Sequence, residues 1–393
     1  MEKIYITNIH VKKVRHLENL DIELSETEKK HLILTGKNGS GKTSLLDMAA
    51  KRFLMAYSEV YPFNYQAEIN MQDPIYDSYI RETGLYMKFN LPVIDSSFME
   101  TSIFLYVKAL RNLDIPSAVT VTKEADIIDK INKNKIIETN TSIDFLQRMV
   151  NLYFMQLSAE NKKELEKIEI LKKWFENFTN LLKKIYNCDT LKLEFDDDDF
   201  KHKIIIPNRE PFALNEMSDG YSAALKIVME LINLMEAKSG KYCVYNMRGI
   251  VLIDEIETHL HVELQKEIMP ILTTMFPNIQ FIVSTHSPFI INSISNAVVF
   301  DLENKRRIED LSAYSWETIV ESYFEAGQYS HEITGKFNRY KKLYKKDRSH
   351  EEEKEFFRLR AELETVSPAQ KELYNAFRQM EMNSSEKTGG QKW

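Results

Sequence analysis

The run Gly36-Lys37-Asn38-Gly39-Ser40-Gly41-Lys42-Thr43, followed by Ser44, satisfies G-x-x-x-x-G-K-[ST]. In such a loop the glycines let backbone N–H groups face phosphate oxygens, and a helix opening behind it adds the positive end of its dipole. Lys42 is placed to reach the β and γ phosphates of a nucleoside triphosphate, and the Thr43 hydroxyl to ligate Mg2+. Much later, Ile250-Val251-Leu252-Ile253 ends in Asp254-Glu255. A buried strand that delivers two carboxylates at its C-terminal end suits Asp254 to holding Mg2+ through water. Glu255 then suits the general base that aligns the attacking water, a role worth roughly 10² to 10⁴ in rate.

Two further segments complete the set. Phe281-Ile282-Val283 runs into Ser284-Thr285-His286-Ser287-Pro288, and a histidine just past a strand parallel to the Asp-Glu strand would face the γ-phosphate. Leu214 to Tyr221 places Ser218, Asp219 and Gly220 at the opening of a helix. A serine hydroxyl and free N–H groups there make a second anion site. The plainer reading is a helix cap, with Ser218 or Asp219 accepting an N–H bond. One chain cannot turn both anion sites on the same nucleotide, so the full set predicts two copies meeting head to tail.

The elements that must position these residues follow from hydrophobic periodicity. Residues 3–24 alternate as two strands, and Leu32-Ile33-Leu34 is a short apolar run of the buried parallel kind, leading through the glycine loop into a helix near Lys42. Strand candidates recur at 84–91 and 101–109, with no pattern that orders them. From 125 to 187 apolar residues recur at three- and four-residue spacing, among them Phe145, Leu146, Met149 and Val150, then Leu165, Leu171, Trp174 and Phe178. After Pro211 the order is helix 219–237, strand 250–253, helix 261–275, strand 279–283 and strand 297–301, the alternation of a mainly parallel sheet covered on both faces. Four carboxylates at Asp196 to Asp199, between strand signals at 191–195 and 204–206, read as a solvated hairpin tip rather than a metal site.

Bulk composition sets limits. The chain has 393 residues, 43% hydrophobic and 28% charged, as in ordinary globular proteins. Its net charge of -7 opposes a surface built wholly to neutralise phosphates. No apolar run approaches membrane-spanning length, no secretory signal opens the chain, and Cys188 and Cys243 lack metal spacing, so a cytoplasmic protein without a membrane partner is expected.

The ordered motifs resemble those of ABC-type ATPases of the SMC, RecF and OLD-like superfamily. The resemblance implies an α/β ABC ATPase head with a mainly parallel core sheet, an antiparallel N-terminal β subdomain, a helical insertion and charged C-terminal helices. The nucleotide is then ATP with Mg2+, bound by a head-to-tail homodimer or a higher oligomer. Lys13-Val14-Arg15-His16-Leu17 looks like the Asn-Phe-Arg-x-Phe element of that family, although Lys13 and Val14 depart from it, and implies a nucleotide contact by Arg15. The family also implies a glutamine that touches Mg2+ and water, for which Gln66 and Gln72 both qualify; Gln66 is assigned. His259 and His261, in Asp254 to His261, fit a dimer-facing loop better than zinc ligation. Expected domains are 1–124 with the phosphate loop, a helical insertion at 125–190, a second lobe at 191–315, and a charged helical region at 316–393 with a frayed tail from Asn383.

Across the chain, including Tyr314-Ser315-Trp316, the similarity is to compact AAA-family ATPases of bacterial anti-phage systems of the Septu and retron type, which work beside a separately encoded nuclease or toxin. The insertion is long enough only for a hairpin of about 40 Å, far short of a chromosome-embracing arm. No fused nuclease motif is visible. Lys336, Arg339, Lys341, Lys342, Lys345, Lys346 and Arg348 interleave with Phe337, Tyr340 and Tyr344, which suits either nucleic acid or an internal pairing with Glu351-Glu352-Glu353. Two other functions fit the motifs: a RecF-like repair ATPase stimulated by DNA, and a scaffold in which ATP is a structural ligand.

Overall fold

Alternating apolar residues fold β1 (Ile6–Val14) and β2 (Leu17–Glu23) into an antiparallel hairpin whose inward face, including Ile9, Val11, Val14, Leu17, Leu20 and Ile22, is buried. The computed structural model describes residues 3–57, 63–64, 82–91, 93–94, 98, 100–109, 122–133, 145–308, 336, 339–340, 342–343 and 349–364. These fall in two units, Met1–Ala313 and Tyr314–Trp393. In the first unit, β5 (Leu85–Phe89) adds to β1 to give an antiparallel sheet of order β2-β1-β5, and β4 (Phe63–Asn64) pairs with β6 (Val93–Ile94).

The central sheet contains β3 (His31–Thr35), β7 (Ile103–Val107), β11 (Gly249–Ile253), β12 (Ile279–Ser284), β13 (Ala297–Asp301) and β14 (Arg306–Ile308), in the order β14-β13-β3-β12-β11-β7. Every neighbouring pair is parallel except β13 with β14. All residues of β3, β11 and β12 are buried, which explains why their centres, Leu32-Ile33-Leu34, Ile250 to Ile253 and Phe281-Ile282-Val283, are apolar runs rather than alternations. One face of the sheet, including Leu32, Leu34, Ile250, Leu252 and Ile282, shares a core with the β2-β1-β5 sheet and with Leu45, Leu46, Ala49 and Phe53 of α1 (Lys42–Tyr57).

Three helices, α2 (Glu124–Lys133), α3 (Phe145–Lys162) and α4 (Leu165–Tyr186), occupy the stretch with helical periodicity. Phe145, Trp174 and Phe178 pack ring against ring between α3 and α4. Leu165, counted in the apolar stripe, is 78% exposed, because it opens α4 before the helix reaches its neighbours. The antiparallel strands β8 (Lys192–Asp196), β9 (Lys201–Ile205) and β10 (Phe212–Ala213) follow. The acidic run is a hairpin tip: Asp196 Oδ1 accepts the N–H groups of Asp198 and Asp199, and its other oxygen pairs with Lys203.

The most buried helix is α5 (Asp219–Ser239), closed by Gly240 in the left-handed conformation at φ 63°. Charge is buried on its C-terminal half. Arg148 donates to Glu124 at 2.6 Å and to Asn233 at 3.1 Å and forms an ion pair with Glu236 at 2.6 Å, while the Trp174 indole donates to Glu236 at 3.0 Å. One charged cluster thus ties α2, α3 and α4 to α5. Next come α6 (Val262–Met275) and the short α7 (Pro288–Ile291), begun by Ser287, whose hydroxyl accepts the Phe289 N–H. No helix of the described residues is long and apolar enough to cross a membrane.

In the second unit α8 (His350–Glu364) is described, with Tyr340 stacked on Phe356. Lys336 pairs with Glu362 at 3.0 Å, and Arg339 makes a forked pair with Glu355. Both partners lie beyond the Glu351-Glu352-Glu353 run, farther along α8. Lys341, Lys345, Lys346 and Arg348, Tyr314 to Trp316 and the tail from Asn383 lie outside the described residues.

Candidate functional site

At the end of β3 the chain enters the glycine loop. Gly36, Gly39 and Gly41 take φ values of 129°, 84° and 101°, a region that side chains disfavour. Gly41 also lies under the β1–β2 turn: a Cβ there would stand 2.8 Å from Leu17 Cδ1 and 3.4 Å from His16 Cε1. This contact brings the turn that carries Arg15, exposed and at φ 52°, beside the phosphate loop. Lys42 is 5% exposed and donates to the carbonyl oxygens of Gly36 at 2.8 Å and Lys37 at 3.2 Å. Burial holds its pKa below the ordinary lysine value, against the opposing pull of Glu255, Glu257, Asp254 and Asp301.

Adjacent parallel strands end together here. Thr43 Oγ1, from the first turn of α1, donates to Asp254 Oδ2 at 2.8 Å. Ser284, at the end of β12, donates to Asp254 Oδ1 at 2.5 Å and accepts the Glu255 N–H at 2.7 Å. Glu255 itself sits at φ 43°. His286 follows β12, and its N–H donates to Glu257 Oε1 at 2.5 Å. Burial first, then the Lys42 ammonium, lowers the His286 pKa, while Glu257, Glu255 and Asp254 pull the other way. The ring is therefore neutral near pH 7 and able to accept a proton or a hydrogen bond.

Gly36 to Ser44, Asp254, Glu255 and His286 thus lie at one end of the sheet, outside the carboxyl ends of its parallel strands, where open α/β sheets hold their ligands. Ser218, Asp219 and Gly220 stand elsewhere, against the loop after the Asp-Glu strand. A Cβ on Gly220 would meet His259 O at 2.9 Å and His261 Cδ2 at 3.0 Å. Ser218 is the N-cap of α5, exposed and without a side-chain capping bond, so its hydroxyl does not do the work of a plain cap. Gln66 and Gln72 lie outside the described residues.

The residues fit a triphosphate with Mg2+. Among the described residues Ser40 Oγ is buried in the loop without a hydrogen-bond partner, and Lys42 donates to carbonyls of its own loop. The Thr43 hydroxyl and Asp254 carboxylate are hard oxygen donors of the kind Mg2+ prefers. Among the described residues no group of three or more His, Cys, Asp or Glu could hold a metal. Sequence reasoning gave no role to Ser284 or Glu257; their contacts cross from one strand end to the next, and the only local sign was a polar residue closing an apolar run.

Known proteins resemble the chain over part of its length. Residues 125–292 match the family described as "AAA domain, putative AbiEii toxin, Type IV TA system". The Septu protein PtuA of Bacillus mycoides (strain KBAB4) is 25% identical over 315 residues, which cover 78% of this chain and 41% of that protein. The retron Ec83 probable ATPase of Escherichia coli is 29% identical over 212 residues, covering 50% of this chain and 35% of that protein. The chain is similar to Septu PtuA and to retron ATPases. The resemblance read from the motifs is borne out, and the chain spans less than half the length of either relative. Among solved structures, an SMC head bound to the C-winged helix domain of ScpA is 13% identical with a TM-score of 0.40, over 79% of this chain and all of that one.

Proposed function

We propose that the protein binds ATP with Mg2+ and hydrolyses it as part of an anti-phage system, two copies sharing each nucleotide head to tail and thereby restraining or releasing a separately encoded nuclease or toxin. The observation that carries this reading is the continuous chain of hydrogen bonds from Thr43 through Asp254 and Ser284 to the Glu255 N–H. A hydroxyl and a carboxylate of the kind Mg2+ prefers, tied to the backbone of Glu255, support the assignment of metal ligands and base.

In this reading Lys42 exchanges its two loop carbonyls for phosphate oxygens, and the loop N–H groups and Ser40 hydroxyl complete the cradle. Thr43 and Asp254 hold the metal, which when bound neutralises charge on the phosphates. Glu255 aligns the attacking water and takes its proton, and neutral His286 accepts a hydrogen bond beside the γ-phosphate. Ser218 and Gly220 of the second copy supply N–H and O–H donors from the other side. Exposure of Ser218 at a helix N-terminus supports that assignment.

Glu255→Gln tests the base: ATP binding persists, the closed dimer accumulates, and turnover falls at least about 10²-fold. Unchanged hydrolysis would remove Glu255 from its role. Measuring turnover with and without duplex DNA at two salt concentrations separates the RecF-like alternative, which requires stimulation that weakens as salt rises. If assembly and biological activity survive in Glu255→Gln, ATP acts as a structural ligand instead.

A further inference from the structure

The loops after β11 and β12 stay joined after the strands themselves have ended. The ladder pairs Ile253 with Val283, and three more hydrogen bonds continue past it. Glu255 N–H donates to Ser284 Oγ at 2.7 Å, Ile256 N–H to Ser284 O at 3.1 Å, and His286 N–H to Glu257 Oε1 at 2.5 Å. From the other side, Thr285 N–H donates to Leu34 O at 3.0 Å, so the same three-residue stretch is also fixed to the strand that launches the phosphate loop. The last of the bonds toward β11 is made by a side chain. Where no backbone carbonyl reaches the His286 N–H, the carboxylate of Glu257 does.

We propose that Glu257 is a positioning residue, which clamps the His286 loop to the loop that carries Glu255 so that base and histidine keep one fixed spacing through the hydrolytic cycle. Its Oε1 is occupied by the His286 N–H, while Oε2 is buried without a partner. The need for a clamp follows from the backbone. Glu255 is held at φ 43°, where a non-glycine residue is strained and persists only when its surroundings over-determine it. Ser284 fixes the near end of that loop by its hydroxyl and carbonyl, and Glu257 fixes the far end. Without the Glu257 bond the His286 backbone would lose its only described tie to the base loop, and misplacement of a reacting group by about 1 Å can cost on the order of 10²-fold in rate.

This inference rests on the reading of Glu255 as the base and His286 as its companion. A second role for Glu257, proton transfer by a spare carboxylate, requires an ionisable group, whereas the clamp requires only an oxygen that accepts. The two are separated by comparing Glu257→Ala with Glu257→Gln in the full chain. Three quantities are read: amide hydrogen exchange at His286 in nucleotide-free protein, affinity for a fluorescent ATP analogue, and turnover.

Glu257→Ala should speed exchange at His286 and lower turnover roughly 10- to 100-fold, with analogue affinity kept. Glu257→Gln, whose amide oxygen accepts the same bond, should restore both the protection and most of the turnover. A glutamine variant as slow as the alanine variant overturns the clamp, as does an alanine variant with His286 protected and turnover intact. Glu255→Gln measured alongside keeps the two claims apart. If that variant still hydrolyses ATP, the proposed base is wrong, yet His286 exchange in the Glu257 variants reports on the clamp regardless.

Discussion

Gly249 shows how one missing side chain sets the sheet. A Cβ there would lie 2.0 Å from the backbone oxygen of Ile103, and the obstruction is backbone rather than a flexible side chain. Gly249→Ala should therefore pry β7 from β11 and lower stability by about 3 kcal/mol, measurable as a shift in urea midpoint with little change in slope. At this scale the sequence was most legible where chemistry imposes a local pattern: the glycine loop, Asp254-Glu255 and the His286 turn are each contiguous. Ser284 and Glu257 were not legible as partners, because a hydroxyl or carboxylate carries no sign of which neighbouring strand end it will meet.

Among elements, the buried strands were readable because Leu32-Ile33-Leu34, Ile250 to Ile253 and Phe281-Ile282-Val283 are uninterrupted apolar runs, which suit a strand covered on both faces. Their order was not. β7 lies beside β11 although α2, α3, α4 and α5 intervene in the chain, and periodicity holds no information about such a pairing. The Arg148 cluster was invisible for a related reason, since Arg148 sits within an apolar stripe and its partner Glu236 belongs to another helix. Arg148→Met should cost about 3–5 kcal/mol, leaving Glu236 and Glu124 buried without a counter-charge. Adding Glu236→Gln to that variant should recover part of the loss. Chemical denaturation of the single and double variants checks this, and a double variant no more stable than the single one would discount the charge argument.

For the whole molecule, pH is a useful probe. Burial lowers His31 and His202 from 6.5 to about 3, with Lys29 adding to the effect at His31, whose Nδ1 accepts the Phe281 N–H and so must be neutral. Both are neutral in the fold, while the unfolded chain protonates them near pH 6.5. Their contribution is complete above pH 6.5 and is lost as pH falls toward 3, by about 1.4 kcal/mol per pH unit for each. His202→Phe should thus shrink the loss of stability between pH 7 and pH 5, read as urea midpoints at the two values. Assembly is tested at Ser218. Ser218→Arg should leave nucleotide affinity of the single chain intact while abolishing dimer closure and hydrolysis, followed by light scattering and phosphate release; a variant still active as a monomer defeats the shared site.

The contact between Gly41 and Leu17 bears on how the amino end of the chain can be handled. The hairpin of residues 6–23 contains none of the phosphate-binding loop, yet its turn rests on that loop so closely that only a hydrogen atom separates them from collision. Trimming the hairpin away would strip the cover from the proposed nucleotide site from a distance in sequence, so a shortened protein with every motif from Gly36 onward intact should bind a fluorescent ATP analogue more weakly than the full chain.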